Sequence, residues 1–179
     1  QWSPALTSET RVGGVAFTGS TATAQIIRSS MAKHLAPDAP LLAETGGLNA
    51  MIVDSTALPE QAVTAIIESA FQSAGQRCSA LRCLYVQEDV VDTIQGMLIG
   101  AMRELCMDAP WALHTDVGPL IDAQAQKQIC AYVEHARASA RVLFQLDPPK
   151  NGYFVPPVLI RVDSIADLER EVFGPVLHI

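Results

Sequence analysis

Two short motifs organise this chain: LAETGGLNA from Leu42 to Ala50, and SAFQSAGQRCSALRC from Ser69 to Cys83. Each sets a reactive side chain among small residues, with the carboxylate of Glu44 beside a glycine pair and the thiol of Cys78 in a polar link. Taken alone, Glu44 has a more ordinary interpretation as a solvated acid in a turn. A structural cysteine would more naturally occupy an apolar helix face, so the position of Cys78 favours a chemical role.

The composition is that of a folded chain that does not bind nucleic acid. A length of 179 residues with 49% apolar content is enough for one core, or for one domain and part of another. Twelve basic and 19 acidic residues give a net charge of -7, and the basic residues are scattered singly. No apolar run approaches a bilayer span, and the N-terminus lacks a signal-peptide pattern. We therefore expect a soluble, cytoplasmic protein without a transmembrane segment.

The cysteines and histidines indicate no metal site. The four cysteines have neither CxxC spacing nor a dense framework, so neither a zinc site nor a disulfide scaffold is expected of Cys78, Cys83, Cys106 and Cys130. Such thiols suit a reducing compartment. The histidines are dispersed, and we interpret all four as surface or packing residues: His34, His114, His135 and His178.

Strands and helices alternate along the chain, which indicates an α/β architecture with parallel pairing. The predicted strands are Val12–Phe17, Leu41–Ala43, Ala50–Val53, Arg82–Gln87, Arg141–Gln145 and Tyr153–Val162. Prolines in the last of these suggest an edge strand. The predicted helices begin at Thr21, Pro59, Asp89 and Asp122, and they end near Pro37, Gly75, Leu105 and Ala140. Residues 1–10 show no periodic pattern, and residues 106–121 are expected to form a long ordered loop.

Two glycine-containing turns could approach a ligand closely. Thr18-Gly19-Ser20 joins the first strand to a helix, which points N–H groups and the positive end of the helix dipole at one spot suited to phosphate. The pattern is common in α/β proteins, and taken alone it is better explained as a plain helix cap. Thr45-Gly46-Gly47 permits unusual backbone angles and a close approach of the main chain, although a simple turn is the ordinary alternative.

Six motifs in sequence order carry a resemblance to a known family. They are FTGS from Phe17, AETGGLNA from Ala43, FQSAGQRCSA from Phe71, GPLID from Gly118, GYFVPPVL from Gly152 and EVFGPV from Glu171. Together they resemble the aldehyde dehydrogenase superfamily, from Val12 to Ile179. The wording of the two central motifs is similar to the glutamate-semialdehyde (pyrroline-5-carboxylate) dehydrogenase part of bacterial bifunctional proline utilisation proteins.

This resemblance implies a fold and a chemistry. The fold is a fragment of the aldehyde dehydrogenase fold, with residues 1–50 as the end of a Rossmann-like NAD-binding domain and residues 51–179 as most of the α/β catalytic domain. The activity is NAD-dependent oxidation of glutamate γ-semialdehyde to glutamate, the second step of proline catabolism. Cys78 would be the nucleophile, and Glu44 would be the base for thioester hydrolysis. The family's second oxyanion donor, an asparagine, matches no residue here.

Binding roles also follow from the resemblance. Gly19 and Ser20 would lie beneath the pyrophosphate of NAD, and Thr45 and Gly46 near the nicotinamide amide. Glu171 and Phe173 would clamp the nicotinamide ribose and ring. Ser79 would contact the substrate carboxylate, and no residue is assigned to a metal.

The parent protein is expected to be a homo-oligomer. The resemblance also implies fusion to a proline dehydrogenase domain, which would carry any FAD outside this chain. The isolated chain is expected to bind NAD poorly and to turn over little. Three alternatives stay open: a dehydrogenase for another aldehyde such as betaine or succinate semialdehyde, a non-catalytic scaffold of the same fold, and a cysteine acyltransferase or hydrolase.

Overall fold

The computed structural model describes residues 4–179 and divides the chain into two compact units, one ending at Gly46 and one spanning Gly47–Ile179. The sequence placed a domain boundary between residues 50 and 51. The structural boundary falls slightly earlier because Ala50 pairs with Cys83 in a strand ladder of the second unit. Residues 1–3 of the stretch without a periodic pattern lie outside the described residues. The same stretch contains a short helix, α1, at Pro4–Thr7.

The first unit is a strand–helix–strand fold with a parallel strand pair. Strand β1 (Val15–Thr18) leads into helix α2 (Thr21–His34), and strand β2 (Leu41–Glu44) then pairs with β1 in parallel. Ser20 caps α2 by accepting a hydrogen bond from the Thr23 N–H at 3.2 Å, which satisfies one of the donors left open at a helix start. The predicted helix with its cap is confirmed. The strand starts later than predicted and excludes the glycines at its head.

The second unit is built on a five-stranded sheet in the order β3-β4-β7-β6-β5. All neighbouring strands pair in parallel except β5 and β6, which are antiparallel. The strands are β3 (Ala50–Val53), β4 (Cys83–Val86), β5 (Val142–Gln145), β6 (Val158–Ile160) and β7 (Val176–His178). The predicted α/β class with parallel pairing is confirmed.

Three helices pack against this sheet and enclose the core. They are α3 (Pro59–Phe71), α4 (Val91–Arg103) and α5 (Ala123–Ala138), and each buries one apolar face. Proline at the first position of α3 suits a helix start, and the side chain of Asp122 caps α5 by accepting from the Ala125 N–H at 2.8 Å. Among residues 4–179, no helix is long and apolar enough to cross a bilayer.

The prediction of an edge strand at Tyr153–Val162 is wrong. Strand β6 lies between β7 and β5, and all three of its residues are buried. Pro156 and Pro157 come just before β6, so their missing N–H groups remove no bond from its ladder. The edge on this side of the sheet is β5 instead.

The ends of two predicted helices also differ from the structure. The α-helix expected to reach Gly75 ends at Phe71 and continues as a distorted 3₁₀ turn over Gln72–Gly75. The helix expected from Asp89 is preceded by a 3₁₀ turn at Glu88–Val90. The first difference matters for the candidate site, because the 3₁₀ turn over Gln72–Gly75 leads into the segment that carries Cys78.

Candidate active site

A left-handed segment connects the end of helix α3 to the loop that carries Cys78. This loop, residues 76–80, is called the thiol loop or thiol turn below. Ser73, Ala74 and Gly75 have φ values of 56°, 53° and 65°, so three successive residues adopt the conformation that favours glycine. Each non-glycine residue held there costs about 1–2 kcal/mol. Ala74 is nevertheless only 1% exposed, so the packing around it holds the strained backbone in place. The sharp reversal takes the chain out of the helix and into the thiol turn.

The Cys78 thiol is exposed on a tight turn whose backbone is fixed from two directions. The turn closes with a hydrogen bond from the Ala80 N–H to the Arg77 carbonyl at 3.1 Å. The Asn49 side-chain amide donates to the carbonyls of Cys78 at 2.7 Å and Ala80 at 2.9 Å. The Asn49 carbonyl also accepts from the N–H groups of Arg82 and Cys83, each at 3.0 Å. We missed Asn49 from the sequence, although it lies inside the ETGGLNA motif.

The EVFGPV motif packs directly against this loop. A Cβ atom added to Gly75 would collide with the backbone carbonyl of Gly174. A Cβ on Gly174 would in turn collide with the Ile129 side chain on α5. Gly75 therefore requires glycine, whereas a methyl group at Gly174 would require the end of the Ile129 side chain to shift. The close approach of Gly75 and Gly174 brings Glu171 and Phe173 to the thiol loop.

Arg82 joins the two motifs from a fully buried position. Its Nε and Nη2 donate to Oε1 of Glu171 at 3.1 and 2.8 Å, and its Nη1 donates to the Gly174 carbonyl at 3.0 Å. Its Nη2 also donates to the Arg77 carbonyl at 3.2 Å. The guanidinium carbon lies 5.5 Å from the centre of the Phe173 ring. Sequence reasoning missed Arg82, although an arginine at the head of a buried strand was a signal that a buried acid would pair with it.

Gln76 ties the thiol loop to the GPLID motif. Its side-chain N–H groups donate to the Pro119 carbonyl at 3.3 Å, and its Oε1 accepts from the Ile121 N–H at 2.9 Å. The Leu120 N–H then donates to the Tyr153 carbonyl at 2.8 Å, which adds the GYFVPPVL motif. Four motifs far apart in sequence therefore meet around one loop of the second unit.

A cavity opens beside the acid and aromatic residues predicted to clamp a cofactor. Its volume is about 270 Å³, and its lining includes Gln76, Gln128, Tyr132, Glu171 and Phe173. The Phe173 ring is 47% exposed and the Glu171 side chain 15% exposed. The structure thus places Glu171 and Phe173 together at an open recess, and their role as a cofactor clamp stays a prediction.

In the first unit, the remaining predicted residues gather at the carboxyl ends of the parallel strands. The Gly19 N–H donates to the Glu44 carbonyl at 3.1 Å, which extends the pairing of β1 and β2 past their last residues. Glu44 and Ser20 are exposed, and Thr45 and Gly46 continue from the end of β2. Ligands of α/β sheets bind at this edge. Gly19 also lacks room for a Cβ because the Phe17 ring lies against it.

One histidine is part of the core beneath the site. His178 is 1% exposed, and its Nδ1 lies 2.9 Å from the Arg82 carbonyl while its Nε2 lies 2.9 Å from the Tyr132 hydroxyl. Burial lowers the pKa of His178 below its ordinary value of 6.5. The interpretation of His178 as a packing residue is confirmed, and the other three histidines are exposed. Within residues 4–179, no cluster of histidine, cysteine or acid side chains could hold a metal ion.

Comparison with known proteins matches this arrangement to a family. The model of the aldehyde dehydrogenase family matches residues 1–179. The chain belongs to this family. The bifunctional protein PutA of Klebsiella aerogenes is 50% identical over 186 residues, which cover 98% of this chain and 14% of PutA. The 1-pyrroline-5-carboxylate dehydrogenase of Geobacillus kaustophilus is 34% identical over 140 residues, which cover 76% of this chain and 27% of that enzyme.

Solved structures show the same fold. A proline utilization A (PutA) mutant from Bradyrhizobium japonicum superposes with a TM-score of 0.94 at 47% identity, covering 98% of this chain and 18% of that one. Betaine aldehyde dehydrogenase from Staphylococcus aureus, in complex with NAD+, gives a TM-score of 0.90 at 26% identity, covering 98% and 36%. The chain therefore has the aldehyde dehydrogenase fold and corresponds to a small part of its PutA relatives.

Proposed function

We propose that the protein is an NAD-dependent dehydrogenase that oxidises L-glutamate γ-semialdehyde to L-glutamate, the second step of proline catabolism. The observation that carries the proposal is the exposed Cys78 thiol on a turn held by Asn49 and Arg82. Membership of the aldehyde dehydrogenase family supports the reaction class. Similarity to PutA and to a 1-pyrroline-5-carboxylate dehydrogenase supports the substrate.

Cys78 acts as the nucleophile. Its thiolate attacks the aldehyde carbon, a C–S bond forms, and the carbonyl oxygen becomes an oxyanion. The N–H of Cys78 stabilises this oxyanion. The Arg77 carbonyl, on the other side of the same planar peptide group, is held by the Ala80 N–H and the Arg82 guanidinium. The direction of the Cys78 N–H is therefore set before substrate arrives.

Residues of both units are proposed to hold NAD, which would accept the hydride lost from the former aldehyde carbon as the oxyanion re-forms a carbonyl and leaves a thioester on Cys78. Gly19 and Ser20 would hold the pyrophosphate, since they form the exposed start of the 14-residue helix α2. The backbone of Thr45 and Gly46 would lie near the nicotinamide amide. Glu171 and Phe173 would hold the ribose and ring, a role supported by the recess beside them.

Two further residues complete the proposed reaction. Glu44, exposed at the carboxyl end of β2, takes a proton from the water that hydrolyses the thioester. Ser79 is exposed beside Cys78 and contacts the substrate carboxylate. We propose these roles from the family motifs and from the position of each residue within its own unit.

We infer that the whole protein resembles its PutA relatives in domain content also. The PutA relatives are bifunctional, and we propose that this protein also works with a proline dehydrogenase domain, which would carry FAD. A cytoplasmic location and a homo-oligomeric state are part of the same proposal.

The test uses the full-length gene product and the formation of NADH from three aldehydes. Glutamate γ-semialdehyde should give a higher kcat/KM than betaine aldehyde or succinate semialdehyde. Cys78→Ala should reduce turnover by about 10³-fold or more, and Cys130→Ala, which removes another exposed thiol, should not. Glu44→Gln should still form about one equivalent of NADH per site and then stall, because the thioester persists.

Three outcomes would contradict the proposal. Turnover that survives Cys78→Ala would show that Cys78 is not the nucleophile. A higher kcat/KM for betaine aldehyde would show that glutamate γ-semialdehyde is not the preferred substrate. NAD-independent acyl transfer or hydrolysis, with no NADH formed from any aldehyde, would favour a cysteine acyltransferase or hydrolase.

A further inference from the structure

The guanidinium group of the buried Arg82 contacts both the thiol turn and the proposed cofactor clamp, which is formed by Glu171 and Phe173. Four of the five guanidinium N–H donors are engaged by four hydrogen bonds to three residues. Two of these bonds reach the carboxylate of Glu171, and one reaches the Arg77 carbonyl. The Arg82 side chain has no exposed surface, so it touches neither substrate nor cofactor.

The planarity of the guanidinium links these contacts geometrically. Nη2 donates both to Glu171 Oε1 at 2.8 Å and to the Arg77 carbonyl at 3.2 Å. A displacement of the Glu171 carboxylate therefore moves the donor that fixes the Arg77–Cys78 peptide group. The Phe173 ring, 5.5 Å from the guanidinium carbon, completes the contact with the clamp.

We propose that Arg82 is a positioning residue that couples cofactor binding at Glu171 and Phe173 to the reactivity of Cys78. The inference rests on the proposed function, because both coupled sites belong to it. Occupation of the clamp holds Glu171 in place, Glu171 holds the guanidinium, and the guanidinium holds the peptide that carries the Cys78 N–H. Acylation of the thiol and binding of NAD then depend on the same buried side chain.

The test compares two measurements on the full-length gene product. The first is the dissociation constant for NAD, measured by calorimetry. The second is hydrolysis of p-nitrophenyl acetate without NAD, followed as release of p-nitrophenolate in the first turnover and taken as the difference from Cys78→Ala. The first turnover reports acylation of the thiol before the thioester is hydrolysed. Arg82→Lys retains the positive charge but replaces a planar fork by a single ammonium that cannot span all three partners. We expect it to weaken NAD binding about tenfold and to slow ester hydrolysis about tenfold.

Three other variants separate coupling from general damage. Glu171→Gln keeps an oxygen acceptor for Arg82 but removes the carboxylate charge, so it should weaken NAD binding more than it slows ester hydrolysis. Asn49→Ser should slow ester hydrolysis and leave NAD binding unchanged, because Asn49 holds only the thiol turn. Arg103→Lys is the matched control: Arg103 also lies over an aromatic ring, that of Phe144, at 5.6 Å, and neither measurement should change.

The pattern across the variants decides the inference. It is supported if Arg82→Lys alone both weakens NAD binding and slows ester hydrolysis, each about tenfold, in a protein that still unfolds cooperatively. It is overturned if Arg82→Lys alters only one measurement or neither, whether or not the melting temperature changes. Should Arg82→Lys not fold, Glu171→Asp replaces it, since a shorter acid pulls the guanidinium away from Arg77. Ester hydrolysis must then fall severalfold, and an unchanged rate refutes the coupling. A wild-type protein that forms no NADH from any aldehyde contradicts the proposed function instead.

Discussion

Replacing Gly75 by alanine should destabilise the second unit strongly, because two separate requirements for glycine coincide at that position. Gly75 has a φ of 65°, and the added methyl group would meet the backbone of Gly174 and, at 3.0 Å, the carbonyl of Ala70. The left-handed conformation costs an alanine about 1–2 kcal/mol. Relief of the collision requires Gly174 to move away from Arg82. This movement would lengthen or break the hydrogen bond from Arg82 Nη1 to the Gly174 carbonyl, which is 3.0 Å long.

The expected loss of unfolding free energy is the sum of three contributions, the first being the cost of the left-handed conformation. Loss of a hydrogen bond to a buried charged group costs about 1.5–3 kcal/mol. Reduced freedom of the unfolded chain returns about 0.5–1 kcal/mol when glycine becomes alanine. The net loss for Gly75→Ala is therefore about 2–4 kcal/mol, which lowers the melting temperature of a unit of this size by roughly 10 °C.

Gly96→Ala is the matched control, since the same substitution should have the opposite effect there. Gly96 lies within helix α4, and a Cβ atom added to it would meet nothing within 4 Å. Alanine in a helix is favoured over glycine by about 1 kcal/mol. Calorimetric unfolding of both variants and the wild type in the full-length gene product provides the comparison. If Gly75→Ala unfolds at the wild-type temperature while Gly96→Ala shows its gain, the close approach of Gly75 and Gly174 is wrong.

Variants at three further positions test other contacts by their effect on unfolding. Burial lowers the pKa of His178, so below about pH 6.5 the unfolded chain binds more protons than the folded protein does. Stability should therefore fall as the pH drops from there towards the folded-state pKa. His178→Gln should flatten this part of a pH series of melting temperatures, and an unchanged slope would contradict the burial of a neutral imidazole. Asp122→Ala should cost about 1 kcal/mol in urea unfolding through loss of the α5 cap, whereas Asp122→Asn should retain most of it; equal losses would mean that the cap is not the cause. Ser73→Gly should stabilise the loop by up to about 1 kcal/mol, because glycine adopts a φ of 56° without strain, and a loss of stability would show that the Ser73 backbone is not strained.

Helix and strand positions were largely predictable because they depend on local patterns. Strand β3 at Ala50–Val53 was predicted to the residue, and β2 and β4 to within a residue at each end. The polar residues before the apolar repeat predicted a cap of α2 at Ser20 or Thr21, and the structure places it at Ser20. The errors have physical causes. The strand beginning at Val158 appeared to be an edge because of its prolines, but these precede the ladder.

The sequence could predict the candidate site only as separate motif residues, and the roles given to those residues stay predictions. Cys78 and Glu171 were identified from motifs, and the structure places each in an accessible setting within the second unit. Asn49 and Arg82, which hold the thiol turn, were missed. Their function lies in contacts with residues 29 and 89 positions away, respectively, and a local pattern does not contain such distances.

The sequence alone determined the alternation of strands and helices, the exposed thiol after a buried helix, and the motif order typical of aldehyde dehydrogenases. Only the tertiary structure decided that β7 lies between β4 and β6, an order that carries the EVFGPV motif to the start of β4 and its Arg82. The physical reason is that periodicity reports which face of each element is buried, whereas strand order depends on how all the buried faces pack together. Gly75 shows the difference: it is an ordinary turn residue in sequence, and glycine is required there by the approach of the Gly174 backbone, 99 positions away along the chain.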